Sequence, residues 1–164
     1  MDLKQVLKNH HTLLYIAGSL VAAVLLSIPQ YSQGHFSYVQ SIDEGDSGIP
    51  QIIYFVSQLM NGGLCFWWPN SVSGTDFFGA TVIASKTNVL LFALCPPWMA
   101  YVLFRVMAYF LAIYSTCLLM KRYLPVYTVF AVLAGVLFID HFLIEALLGH
   151  GFSMSLVPLV MLYF

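Results

Sequence analysis

Three of the seven acidic residues stand within four positions, Asp43-Glu44-Gly45-Asp46. Carboxylates at that density could supply a general base with a partner, or hold a hard divalent cation such as Mg²⁺ or Mn²⁺ through Asp43 and Asp46. The same residues also suit a solvated loop, with Asp46-Ser47-Gly48 capping a helix that opens near Pro50. Arg105 stands alone in an apolar run, where its guanidinium fork could grip a phosphate. It could instead pair with Asp140 of the next apolar run, or snorkel to an interface. His141 and Glu145 are four apart and share a helical face, and with His150 they could form a small polar or transition-metal site. Satisfied interfacial polar groups are the simpler account of those three. Asp76, in Ser-Gly-Thr-Asp, reads as a turn residue, with a catalytic or metal role as the lesser alternative. There is no phosphate-cradling glycine loop, nucleophilic triad or leucine heptad.

The elements that position these groups must live mostly in lipid. Apolar residues make up 60% of the 164 and charged residues only 8%, against roughly 25% charged in an ordinary soluble domain. So few charges cannot coat a water-facing surface. The 16% aromatic content suits a lipid–water boundary, where Trp and Tyr settle. A net charge of −1 is uninformative about partners, and no basic stretch suggests nucleic acid, so none is expected. Cys65, Cys95 and Cys117 have neither metal nor redox spacing. Cys117 reads as a small packing residue, while Cys65 and Cys95 could meet on an oxidising side.

Residues 1–11 are polar, and 12–28 form a first apolar run ending at Pro29, near the ~20 residues a spanning helix needs. A cleaved signal peptide would begin in the same way, but no small-x-small cleavage site follows. Residues 29–95 form a loop of different character. Within it Ile49–Asn61 is predicted helical, with Ile49, Ile52, Ile53, Val56, Leu59 and Met60 on one face and Gln51 and Gln58 opposite. At about 20 Å this helix is too short to span and is expected to lie on the membrane surface. Gly62-Gly63 ends it, Cys65-Phe66-Trp67-Trp68-Pro69 reads as an interfacial anchor, and Thr81–Leu94 as a second surface-lying or re-entrant piece. Pro96-Pro97 opens a second span over 96–120, Lys121-Arg122 begins a turn at 121–125, and a third span covers 126–148. A turn at 149–151 leads into an apolar segment, 152–164, too short to be a complete fourth span. Arg105 then lies roughly 12 Å below the surface at which its span starts.

The predicted fold class is therefore all-α: a polytopic membrane protein of about four transmembrane helices, the fourth incomplete, with surface-lying helices in the first outer loop. By the positive-inside rule Lys4, Lys8, Lys121 and Arg122 place the N-terminus and the second turn in the cytoplasm. Residues 29–95 then face outward, and every acidic residue but Asp2 falls in or near the outer half. The apolar end at Phe164 suggests the front part of a longer protein.

The order of several short motifs resembles the N-terminal portion of bacterial GT-C-fold membrane glycosyltransferases, nearest to the YfhO-like branch. The motifs are Asp43-Glu44-Gly45-Asp46-Ser47 with Gln51, then Asn61-Gly62-Gly63-Leu64, Trp67-Trp68-Pro69-Asn70 and Gly74. Leu94-Cys95-Pro96-Pro97-Trp98-Met99-Ala100-Tyr101 follows, and later Gly149-His150-Gly151 with Pro158-Leu159. The likeness covers nearly the whole chain, and each motif alone is weakly specific. Such enzymes have eight or more spans and this chain offers about four, so much of the family's lipid-donor pocket would lie downstream. The resemblance implies sugar transfer, with inversion, from a polyprenyl-phosphate donor to a cell-surface polymer or lipid at the outer face of the cytoplasmic membrane. It also implies Asp46 as base, Asp43 as its partner or a metal ligand, Arg105 on the carrier phosphate, and Gln51 and Glu44 as substrate contacts. Two other readings fit the residues. A transporter or flippase-type subunit could line its path with Arg105, Asp140 and Glu145, and a non-catalytic fragment could act through a partner membrane protein.

Overall fold

The computed structural model of the protein describes residues 3–37, 49–63, 67–68, 75–76, 86–124, 127–139 and 156–163. Within them the architecture is all-helical but for one two-residue ladder. The helices are α1 (Leu3–Leu26), α2 (Ile28–Ser32), α3 (Ile49–Met60), α4 (Lys86–Leu94), α5 (Pro97–Tyr123), α6 (Thr128–Ile139) and α7 (Val157–Met161). A single 3₁₀ turn, Gly34–Phe36, follows α2. The ladder pairs β1 (Trp67–Trp68) with β2 (Thr75–Asp76), antiparallel, Trp67 opposite Asp76. The chain divides into two compact units. One comprises Met1–Ile28, Val106–Glu145 and Gly151–Phe164, the other Pro29–Arg105 and Ala146–His150.

Helix boundaries follow from local chemistry. No Gly or Pro interrupts Leu3–His11, so α1 begins well before Thr12, where the apolar run starts, and the polar flank continues the same helix. At its other end Ser27 Oγ donates to the Ala23 carbonyl at 2.8 Å, and the Ser27 amide is shared between the Ala23 and Val24 carbonyls. That back-bonding loosens the last turn. Pro29 then restarts the chain in the first turn of α2, where its missing N–H costs nothing. α5 opens the same way: Pro97 is its first residue, and the Ala100 amide donates to the Pro96 carbonyl at 2.9 Å. α5 runs three residues past the expected boundary at Met120. Lys121 and Arg122 complement the negative end of the helix dipole rather than stopping the helix.

α5 is the one described helix long and apolar enough to cross a membrane. Its 27 residues measure about 40 Å at 1.5 Å each, against a hydrocarbon core of about 30 Å. Thr12–Leu26 and α3 are shorter apolar helices. The expected third and fourth spans are described only in part, as α6 and α7.

The first unit is a three-helix assembly whose seam is built from small residues. On α1 Tyr15, Ser19, Ala23 and Ser27 recur every fourth position, and all are buried. On α5 Ala108, Ala112 and Thr116 do the same, and on α6 Ala131 and Gly135. Small residues at that spacing let helix backbones approach closely. A Cβ on Gly135 would stand 2.8 Å from the Ile113 Cα, so α6 meets α5 backbone to backbone there. A Cβ on Gly18 would stand 3.4 Å from Val132 Cγ2, so α6 also packs on α1. Ser19 Oγ and Cys117 Sγ share a hydrogen bond at 3.9 Å, and Lys121 Nζ lies 5.3 Å from the centre of the Tyr15 ring. Four residues forward on α1 thus match four residues back on α5, and the two helices are antiparallel. The pairings of α6 with Gly18 and Ile113 make it antiparallel to α5 as well. The Ser115 and Thr116 hydroxyls both donate to the Ala112 carbonyl, at 3.2 and 2.8 Å, and so bury little unmet polarity. Cys117 is buried in this seam, the packing role its sequence setting predicts.

The outward faces are the bulky ones: Leu13, Leu14, Leu20, Val21, Val24 and Leu25 on α1, and Val129, Phe130, Leu133 and Leu137 on α6, are all exposed. A water-soluble helix presents the reverse pattern.

In the second unit α3 packs on α4. Its buried residues Ile49, Ile52 and Val56 lie on the predicted face, while Leu59 and Met60 stay exposed. α3 thus has a helical neighbour along its apolar face, which the sequence reading did not foresee. It stops in a Schellman motif: the Gly63 amide donates to the Gln58 carbonyl at 2.9 Å and the Gly62 amide to Leu59 at 3.1 Å. Gly62, at φ +76°, supplies the left-handed turn that this motif requires. The ladder is also a departure. Thr75-Asp76 was expected as turn, yet it pairs with Trp67-Trp68 in a backbone ladder, which suits aromatic and β-branched residues.

The seam makes a quantitative prediction. Gly135→Ala drives a methyl group into the Ile113 backbone, and the expected loss is about 1–3 kcal/mol in detergent unfolding. Gly18→Ala meets only ordinary contact and should cost far less. Equal losses for the two would contradict the close approach.

Candidate functional site

Arg105 is the one predicted site residue that the structure surrounds with described partners. It lies in the first third of α5 and is 7% exposed. Helical geometry puts Tyr101 one turn earlier on the same face, and Arg105 Nη1 donates to the Tyr101 hydroxyl at 2.6 Å. The guanidinium carbon also lies 5.4 Å from the centre of the Tyr101 ring, within cation–π range. Tyr101 is itself buried, as are Ala100, Val102 and Phe104 around it. A charge in such surroundings costs at least about 2.5 kcal/mol in a membrane unless it is paired or wetted. The phenol oxygen meets part of that cost, and its short bond is of the charge-assisted kind.

The N-terminus of α5 is tied to the segment after α2. Ser37, buried, donates through Oγ to the Trp98 carbonyl at 3.5 Å, and the His35 and Trp98 rings lie 5.4 Å apart, tilted. The tie ends about two turns before Arg105 and holds the start of the helix that carries it. Gln51, on the first turns of α3, is half-buried.

Asp43, Glu44 and Asp46 lie outside the described residues, as do Asp140, His141, Glu145 and His150, so the acidic site, the Arg105–Asp140 pair and the histidine cluster are not described. α3 opens at Ile49 with Pro50 in its first turn, so the acidic stretch immediately precedes a helix, as the sequence predicted. Asp76 stands in β2 opposite Trp67 rather than in a turn. Cys95, half-buried between α4 and α5, is a free thiol, and Cys65 lies outside the described residues. Among the described residues no three His, Cys, Asp or Glu side chains converge as a metal site would require.

The sequence reading missed Tyr101 as the partner of Arg105. The signal was there, an aromatic hydroxyl four positions before an isolated cation in an apolar helix. Comparison with protein-family models, with curated proteins and with solved structures found no match.

The Tyr101–Arg105 pair is measurable. Tyr101→Phe keeps the ring and removes the acceptor, and a hydrogen bond to a charged group contributes about 1.5–3 kcal/mol. A double-mutant cycle of Tyr101→Phe with Arg105→Met in detergent unfolding should return a coupling of that size. Additive losses would show that the pair carries no energy.

Proposed function

We propose that the protein is embedded in the bacterial cytoplasmic membrane and takes part in glycosyl transfer at its outer face. The observation that carries the membrane reading is the inverted packing of the first unit. Ser19, Ser27, Ala112, Thr116 and Gly135 are inside, while Leu, Val and Phe side chains of α1 and α6 are outside. Such a surface is costly in water and neutral in lipid. α5 spans, α1 and α6 cross beside it in alternating directions, and the N-terminus is cytoplasmic.

Support for sugar transfer comes from chemistry rather than from a completed site. A polyprenyl-phosphate sugar donor offers a phosphate close to the membrane surface and a long apolar tail. Arg105, buried in the first third of α5 with Tyr101 orienting its guanidinium, has the charge and fork geometry for that phosphate. Asp46 then serves as the base that takes the proton of an acceptor hydroxyl on a surface polymer or lipid, and Asp43 as its partner or as a ligand to Mg²⁺ or Mn²⁺. Glu44 and Gln51 contact substrate.

Two experiments test the reading at its two levels. Alkaline carbonate should leave the chain in the membrane pellet, and its release would overturn the membrane reading. Asp46→Asn should lower transfer from a polyprenyl-phosphate sugar by about 10²–10⁴-fold, the usual contribution of a positioned base, and Asp43→Asn should also impair it. Arg105→Ala should weaken donor use. Unchanged transfer in both aspartate variants would overturn the assignment.

A further inference from the structure

The antiparallel register of the first unit has an electrostatic result. Lys121 and Arg122 close α5, and Lys121 lies over Tyr15 of α1. Lys4 and Lys8 occupy the turns of α1 that precede Tyr15, so they fall at the same end of the unit as the C-terminus of α5. Four of the six Lys and Arg residues of the chain thus share one end. Along the axis Lys8 is about 10 Å and Lys4 about 16 Å from Tyr15 at 1.5 Å per residue, so at physiological salt each would meet a charged surface as a separate cation.

The two α5 cations are held in place. Lys121 is fixed over a buried ring. Arg122 donates through Nη1 to the Leu162 carbonyl, just past the end of α7, with its guanidinium carbon 5.6 Å from the centre of the Tyr123 ring. Both cations are nevertheless exposed. Around them Tyr123, Tyr127 and Tyr163 are 58%, 80% and 85% exposed, and tyrosines of that kind settle at headgroup depth. Among the described residues of α5, α6 and α7 there is no Asp or Glu beside the two cations, and the one acid of the polar N-terminal stretch is Asp2.

We infer that this basic, tyrosine-rimmed end docks on an anionic leaflet, with Lys121 and Arg122 gripping the phosphates of anionic phospholipid headgroups. Charge complementarity selects the occupant: two adjacent exposed cations with no acid beside them among the described residues of α5, α6 and α7 match a lipid phosphate that lacks a compensating amine. A zwitterionic headgroup carries its own cation and gains less. The inference rests on the membrane reading proposed above and adds the lipid class and the residues that recognise it.

The test uses the full chain in detergent, titrated with phosphatidylglycerol or phosphatidylcholine and followed by native mass spectrometry. Phosphatidylglycerol should bind about tenfold or more tightly than phosphatidylcholine, and the preference should shrink as salt rises. Lys121→Gln and Arg122→Gln should each reduce it about fivefold, the equivalent of one headgroup contact per cation, and Lys121→Arg should retain it. Lys4→Gln with Lys8→Gln, both on α1 before Thr12, should lower it further. Equal binding of the two lipids by the unaltered chain would overturn the inference whatever the variants do. So would a preference that survives both glutamine substitutions, or one abolished by millimolar inorganic phosphate, which would indicate a free-anion site. Carbonate extraction separates the two levels: a chain that resists extraction yet shows no lipid preference refutes this inference alone.

Discussion

The contact on which the first unit depends is the approach of Gly135 to the backbone of Ile113. On the membrane reading proposed above, apolar burial provides little drive between these helices, because a leucine is as well solvated by acyl chains as by another helix. Association then depends on dispersion between atoms brought very close, and only small residues allow that distance. Ala131 and Gly135 on α6, Ala108 and Ala112 on α5, and Ser19 and Ala23 on α1 provide the space. The polar members of the seam bring their own partners. Thr116 and Ser115 return their hydrogen bonds to Ala112, Ser27 returns its own to Ala23, and Ser19 meets Cys117.

Arg105 follows different physics. It is a formal charge in a helix otherwise selected for lack of charge, and its surroundings are organised to tolerate it. Tyr101 is suited to that task because one side chain offers both an oxygen acceptor and an aromatic face. A charge held at that expense is the reason the reading proposed above rests on Arg105 in the described part of the chain.

Sequence chemistry located helices wherever a breaker or a cap marked an end. Pro96-Pro97 placed the start of α5 within one residue, and Gly62-Gly63 placed the end of α3 as closely. It failed where charge was taken for structure. Lys121-Arg122 was read as the end of α5, and Lys4 and Lys8 as a flank outside α1, yet a helix needs only absent breakers and continues through both. The β1–β2 ladder was invisible because two-residue pairing leaves no periodicity. The seam escaped for another reason: hydropathy scores Ala, Gly and Ser as indifferent, so a stripe that decides packing adds little to any average. Of the candidate site, Arg105 and Gln51 were legible as positions, but the role of Tyr101 emerges only once the helix is wound.

The constant four-for-four pairing of α1 against α5 also bears on how this sequence could change over generations. Substitutions on the bulky faces exchange one greasy side chain for another and leave the seam untouched, so those positions are free to drift. A single inserted or deleted residue between Tyr15 and Ser27 is a different event. It turns everything beyond it by about 100°, so that a deletion brings Val24 into the place of Ala23, level with Ile113, and carries the small residues away from their partner. Descendants of such a chain would therefore diverge widely in spelling while keeping the length of this helix constant, a lineage recognised by its spacing more than by its letters.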